Sequence, residues 1–319
     1  MASGPRRVVS LLPAATEIVA ALGLHEQLVA VSHDCDHPPV IADKPRITRC
    51  EIHDAGLPSG AVEAWVRETL AERGSLYTID EALLRALEPD VILTQKLCDV
   101  CAPSYGSVAQ LAGSLRDPPE VVNLEPSSLG DIFDNIGTVA RVLHLPERGE
   151  RVVAELRERV RAVRQRSARA GRRPRCVLLE WLDPLYSSGH WGPEIVDLAG
   201  GVEVLGRPGE DSTPVTWEDV AAAEPEVLLL ACCGNSVGQT LEELPAVVQG
   251  KDGWESLPAV ASDQVYVLDG SAYVSRPGPR IVDSLELIAG AMHPDLFPEW
   301  RPERHPWQRV MRVHTRDQG

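Results

Sequence analysis

The sequence predicts an α/β fold of two lobes with mainly parallel central sheets, joined by one long bridging helix. Three observations predict it. Short, largely apolar runs of strand length alternate with amphipathic stretches along most of the 319 residues, the order expected of βα units and a parallel sheet. A helix–turn–strand unit occurs twice. Between its copies lies one long amphipathic stretch. With 44% apolar residues, a chain of this length can bury the cores of two α/β lobes. The division expected is an N-terminal lobe over 1–146, the bridging helix over 147–173 and a C-terminal lobe with an irregular tail over 174–319.

The first strand is Val8–Leu12; after a Ser/Pro turn comes the amphipathic helix Thr16–Leu22. Leu28–Ser32 is the second strand. Helices Ala61–Arg73 and Asp80–Leu87 precede strand Val91–Gln95. Helix Gly106–Leu115, strand Val121–Leu124 and helix Ser128–Leu143 complete the first lobe. The bridge is Glu147–Ala170. Val152, Val153, Leu156, Val160 and Val163 form one apolar stripe on it, its other faces carry charges of alternating sign, and Gly171 and Pro174 end it. Its ~24 residues span about 36 Å as a helix, enough to run from one lobe to the other. The second lobe has strands Cys176–Trp181, Val227–Cys232 and Val265–Leu268, with helices Glu194–Ala199, Trp217–Ala223 and Pro279–Ala289. The proline-punctuated tail after Ala291 reads as irregular and partly extended, with Trp300 and Trp307 placed to pin it to the surface.

The repeat is carried by two pairs of segments. Glu17–Gly23 (EIVAALG) resembles Glu194–Gly200 (EIVDLAG), and Leu84–Thr94 (LRALEPDVILT) resembles Val220–Leu230 (VAAAEPEVLLL). The second pair is a helix, an E-P-acid turn and a buried strand; proline suits that turn because it cannot continue the helix. Glu17 to Pro89 is 72 residues and Glu194 to Pro225 is 31, so the first copy carries about 41 more. Chance likeness between generic αβ units is the alternative.

The net charge is -16. That argues against nucleic acid and anionic membranes, both of which need a basic footprint. It is compatible with small-molecule or cationic partners, although ordinary solubility charge is the simpler reading. No stretch approaches the roughly 20 apolar residues of a membrane span, and the start MASGPRRVVS lacks the apolar core of a secretory signal. Seven cysteines, an odd number, favour reduced thiols. The expected location is therefore cytoplasmic, or periplasmic if the start is misassigned.

Ligands of open parallel sheets bind beyond the carboxyl ends of the strands, so the loops after the strands carry the candidate chemistry. Leu28–Ser32 is followed by His33-Asp34-Cys35-Asp36-His37, and Val91–Gln95 by a loop with Cys98-x-x-Cys101. That spacing fits Zn, Fe or an Fe–S cluster, with Cys35, His37, His33, Cys50 or His53 as further ligands. It also fits redox exchange, or plain thiols that pack or line a site. Tyr186, His190 and Trp191 follow the strand Cys176–Trp181; they could grip a flat apolar ligand or pack a lobe interface. In the last loop, Arg276 and Arg280 could bind a carboxylate or phosphate through their forked donors, while Arg280 could equally pair with an acid. No GxGxxG, Walker loop, HExxH or GxSxG elbow is present. Nothing local supplies nucleophile, base and orienter together, which favours a binding protein.

The segments VVSLLPAATEIVAALGL, VAVSHDCDHPP, LRALEPDVILTQ, PLYSSGHWGPEIVDLAGG, TPVTWEDVAAAEPEVLLLAC and SRPGPRIVDSLELIAG together resemble the substrate-binding proteins of ABC importers for cobalamin, haem and iron siderophores, most of all the vitamin B12-binding members. The resemblance covers roughly Arg7 to Gly290. It implies two α/β lobes bridged by one long helix, with a corrinoid or related metal chelate held in the interlobe cleft and an ABC permease as partner. It places a cleft aromatic near His33 and another on Tyr273, and sets Cys98 and Cys101 on a ligand-facing loop. Aromatic faces would stack on the macrocycle, His33, His190 or a thiolate would approach its metal, and Arg276 would meet a polar side arm. The alternative is a cytoplasmic metalloprotein or enzyme using a Cys98/Cys101 metal site.

Overall fold

The computed structural model describes residues 6–52, 57–96, 103, 105–251, 253–301 and the backbone of 310–312. Contacts divide the chain into two units. The first is Met1–Leu57, Ala61–Pro126 and Gly130–Glu155; the second is Pro58–Gly60, Ser127–Leu129 and Leu156–Gly319.

The first unit is built on β1 (Val8–Ser10), α1 (Pro13–Ala21), β2 (Leu28–Val31), β3 (Thr48–Cys50), α2 (Ser59–Arg73), β4 (Tyr77–Ile79), α3 (Glu81–Leu87), β5 (Val91–Thr94), α4 (Tyr105–Gly113), β6 (Glu120–Asn123) and α5 (Leu129–Val142). Its sheet has the order β2-β1-β5-β6, all parallel. Val8, Val9, Ile92 and Leu93 are buried on both faces of that sheet, which explains why these strands read as apolar runs and not as alternation. β3 and β4 form a separate antiparallel pair. The long helix α6 (Pro146–Ser167) follows, and the division between the units falls within it.

The second unit contains β7 (Arg175–Leu182), β8 (Leu185–Ser187), α7 (Gly192–Leu198), β9 (Val202–Glu203), β10 (Thr213–Val215), α8 (Trp217–Ala222), β11 (Val227–Leu230), α9 (Val237–Val248), α10 (Pro258–Ala261), β12 (Val265–Leu268), α11 (Ile281–Met292) and β13 (Val310–Arg312). The central strands β7, β11 and β12 are parallel. β8 and β10 extend one edge and β13 the other, each antiparallel to its neighbour. Among the described residues, no helix is long and apolar enough to cross a membrane.

The repeat read from sequence has a physical counterpart inside each unit. Gly23 (φ 71°) and Gly200 (φ 91°) both end their helices in the left-handed conformation. Leu24 N–H donates to Val19 O at 3.0 Å, and Gly201 N–H to Val196 O at 2.9 Å. The two E-P-acid turns agree as closely. Glu88 (φ 41°) and Glu224 (φ 43°) are left-handed. The Asp90 carboxylate accepts from the Arg7 N–H at 2.7 Å, and Glu226 from the Arg175 N–H at 2.9 Å. Arg7 Nε then donates to Leu87 O at 2.8 Å, and Arg175 Nε to Ala223 O at 3.0 Å. Each unit thus clasps the amino ends of two neighbouring strands with one arginine and one acid.

Several elements are additions to the expected set. β3, β4, β8, β9 and β10 are two or three residues long, too short for a period of two to register. α9 carries Pro245 within it, which reads as a breaker, yet Ser236 and Gln239 form a capping box at its start. The tail contributes β13, an edge strand on β12.

Candidate functional site

In the first unit, the loop after β2 packs against the β3–β4 pair. Thr48 holds His33: its hydroxyl accepts the His33 backbone N–H at 3.1 Å and lies 2.7 Å from Nδ1. The other ring nitrogen lies 3.4 Å from Asp34 Oδ2. The His33 and Tyr77 rings are 5.6 Å apart, tilted by 47°. They wall a cavity of about 560 Å³ that Arg49, Cys50 and Arg73 also line. Tyr77 belongs to the segment separating the two copies of the repeat in length, so no strand-end reading could single it out. Cys35 is 1% exposed, its Sγ 3.1 Å from Thr16 Oγ1 and 3.2 Å from Ser32 Oγ. The fold thus places this thiol among hydroxyls beneath the loop. His37, half-buried, precedes a cis proline. Cys98, Cys101 and His53 lie outside the described residues. Among the described residues, no three His, Cys, Asp or Glu side chains gather as a metal site.

In the second unit, the carboxyl end of β7 runs into β8 and then into the loop before α7. Tyr186 sits on β8, opposite Trp181 of β7 and Pro214 of β10. His190 is left-handed (φ 50°) and is pinned by a segment about 20 residues further on. Its N–H donates to Glu210 O at 2.6 Å, its carbonyl accepts from Gly209 N–H at 2.8 Å, and Nε2 lies 3.2 Å from Asp211 Oδ1. Gly189 permits the close approach, because a Cβ there would run into Ser212 N and Glu210 O. Trp191 packs beside His190 at 5.5 Å between ring centroids and is buried. Its indole Nε1–H donates to Val274 O at 2.7 Å, so this side chain is engaged in the unit's own packing. Tyr273 is 4% exposed and lies under the Arg280 guanidinium, 5.6 Å from its ring centre. Arg276 is half-buried in the same loop.

Two acids near this edge belong to no sequence motif. Glu180 accepts the Ser212 hydroxyl at 2.5 Å and a hydrogen bond from the Gly189 backbone. Burial nevertheless pushes its carboxyl up to about 7. Glu203 gathers backbone N–H groups from Leu178, Val204, Leu205 and Gly206 at 2.9–3.1 Å, and burial still raises it. The signal available in sequence is an acid inside the apolar run RCVLLEWL. A second cavity of about 510 Å³ lies in this unit, lined by Asp183, Trp217, Glu218, Glu243 and Lys251 among others. Its acidic walls suit a polar or cationic group better than an apolar one.

Comparison with known proteins gives a consistent result. A family profile described as periplasmic binding protein matches residues 8–272. The chain is 26% identical over 284 residues to the "Vitamin B12-binding protein" of Vibrio cholerae serotype O1, covering 88% of this chain and 87% of that one. It is 27% identical over 233 residues to a protein of the same description from Yersinia pestis, covering 72% and 71%. Among solved structures, the periplasmic vitamin B12 binding protein of Vibrio cholerae superposes with a TM-score of 0.65 at 25% identity, over 90% of this chain and 96% of that one. A periplasmic haem-binding protein from Roseiflexus sp. RS-1 shares the fold, with a TM-score of 0.67 at 22% identity over 92% and 100%.

Proposed function

This chain belongs to the periplasmic binding protein family, and on that premise we propose that it captures cobalamin, or a closely related corrinoid or tetrapyrrole chelate, without chemical turnover. The observation that carries this reading is the likeness to vitamin B12-binding proteins, which extends over both units of the chain. The geometry supports it in each unit. The His33–Tyr77 pair offers ring faces at the wall of a cavity large enough for part of a macrocycle. In the second unit, His190 is held in a fixed, left-handed conformation, and Arg276 brings a forked donor for polar side arms. An ABC permease is the partner that this kind of binding protein serves.

The test is titration of the purified chain with cyanocobalamin, hydroxocobalamin, haemin and a ferric hydroxamate siderophore, read by calorimetry and absorbance. One-to-one binding of a cobalamin, weakened at least about tenfold by Tyr77→Ala or His33→Ala, is expected. Absence of any heat or spectral change with all four ligands at about 100 μM, roughly the weak end of specific binding, would refute the reading.

A further inference from the structure

The last loop of the second unit contains the most strained backbone near the candidate site. Val274 has φ 63° and is 1% exposed. A β-branched residue in that region is an outlier for which the surroundings must account. Ser275 N–H donates to Tyr273 O at 2.7 Å, so Val274 is the centre of a γ-turn of the strained, positive-φ form. A second i-to-i+2 bond follows at once, Gly278 N–H to Arg276 O at 2.8 Å, centred on Pro277. Both peptide groups of Val274 are taken by side chains from other elements. Its N–H donates to Ser284 Oγ of α11 at 2.9 Å, and its carbonyl accepts from Trp191 Nε1, at the start of α7, at 2.7 Å. Ser284 itself is fully buried. Between the two turns, the Ser275 hydroxyl is buried with no hydrogen-bond partner among the described residues. A buried hydroxyl is normally satisfied, so this one marks a place where a partner is due.

A packing role alone would not need this arrangement. A glycine at position 274 would give the same turn without strain, and a relaxed loop would not need two buried clamps. Strain held from two sides serves to fix the residues that follow it. We propose that Trp191 and Ser284 clamp the Val274 turn so that Ser275 and Arg276 form a preset arm for the polar, amide- or carboxylate-bearing periphery of the ligand. Trp191 and Ser284 are then positioning residues, and the ligand contacts are Ser275 and Arg276. The role of the arm rests on the function proposed above; the clamp does not.

Three variants test this: Trp191→Phe, which keeps an aromatic ring but removes the donor, Ser284→Ala, and Val274→Gly. Amide hydrogen exchange at Ser275 and Gly278 in the ligand-free chain reads the clamp. Trp191→Phe and Ser284→Ala are expected to speed it by about tenfold or more beyond any change at core amides of β11 and β12; exchange that rises no more than at those amides in both overturns the clamp. Cyanocobalamin affinity reads the arm. Val274→Gly, compared at a temperature where the variant is fully folded, is expected to bind about fivefold more weakly, because the arm is no longer preset. Arg276→Ala is expected to weaken binding alone but add little in the Trp191→Phe background; fully additive losses overturn the coupling. A wild-type chain that binds none of the titrated chelates ends the arm's ligand role, while the exchange rates still decide the clamp.

Discussion

Glu180 shows how a single side chain joins strand, loop and solution chemistry. Its carboxyl titrates near 7 because burial outweighs the hydrogen bonds from Ser212 and Gly189. The folded chain therefore holds a proton there that the unfolded chain, with an ordinary carboxyl near 4.5, releases earlier. Stability from this group falls as pH rises from about 4.5 to about 7 and is level above that. Glu180→Gln, an uncharged stand-in for the protonated acid, is expected to add about 1–3 kcal/mol at pH 8 and nothing at pH 4. Urea denaturation at pH 4, 6 and 8 checks this; equal gains at all three would point to packing and not to charge. An acid within an apolar strand could be noticed in the sequence. Its protonation could not, because that depends on burial by the folded chain outweighing the opposing hydrogen bond from Ser212, 32 residues away in sequence.

At the scale of elements, the paired clasps are the most legible feature. The E-P-acid repeat was visible in the chain, and each copy folds into the same set of bonds. Asp90→Ala and Glu226→Ala each remove the acceptor for the first N–H of the clasp. Each is expected to cost about 1–2 kcal/mol in chemical denaturation, with the conservative Asp90→Glu and Glu226→Asp recovering part of it. A larger effect belongs to α6 and α11. Arg159 of α6 meets Asp283 at 2.5 Å and Glu286 at 2.7 Å on α11, and the Glu286 side chain is only 8% exposed. Arg159→Met strands that carboxylate, and a loss of about 2–4 kcal/mol is expected; the double variant Arg159→Met/Glu286→Met should recover much of it. A calorimetric scan of the two variants decides between a stranded charge and lost packing. The short strands β3, β4, β8, β9 and β10 were not legible. Their existence depends on pairing partners and not on any pattern within three residues.

For the whole molecule, fold class and family were readable because they rest on motifs spread over most of the chain. The candidate site was readable only as a set of loops. What organises it joins residues far apart in sequence: Thr48 with His33, Glu210 with His190, Val274 with Trp191. A ligand that binds the folded chain stabilises it by mass action. Cyanocobalamin at about 100 times its Kd is expected to add about 2.7 kcal/mol and raise the melting temperature by a few degrees. A thermal scan with and without the vitamin measures this, and an unchanged melting temperature would count against binding. The clasps carry one more consequence. They fasten the amino ends of β1, β5, β7 and β11, whereas the loops bearing His33 and Arg276 follow the carboxyl ends of β2 and β12. The repeated framework and the loops that offer contacts are thereby separated within each unit, so a loop can be rewritten for another ligand without disturbing the clasp at the far end of the sheet.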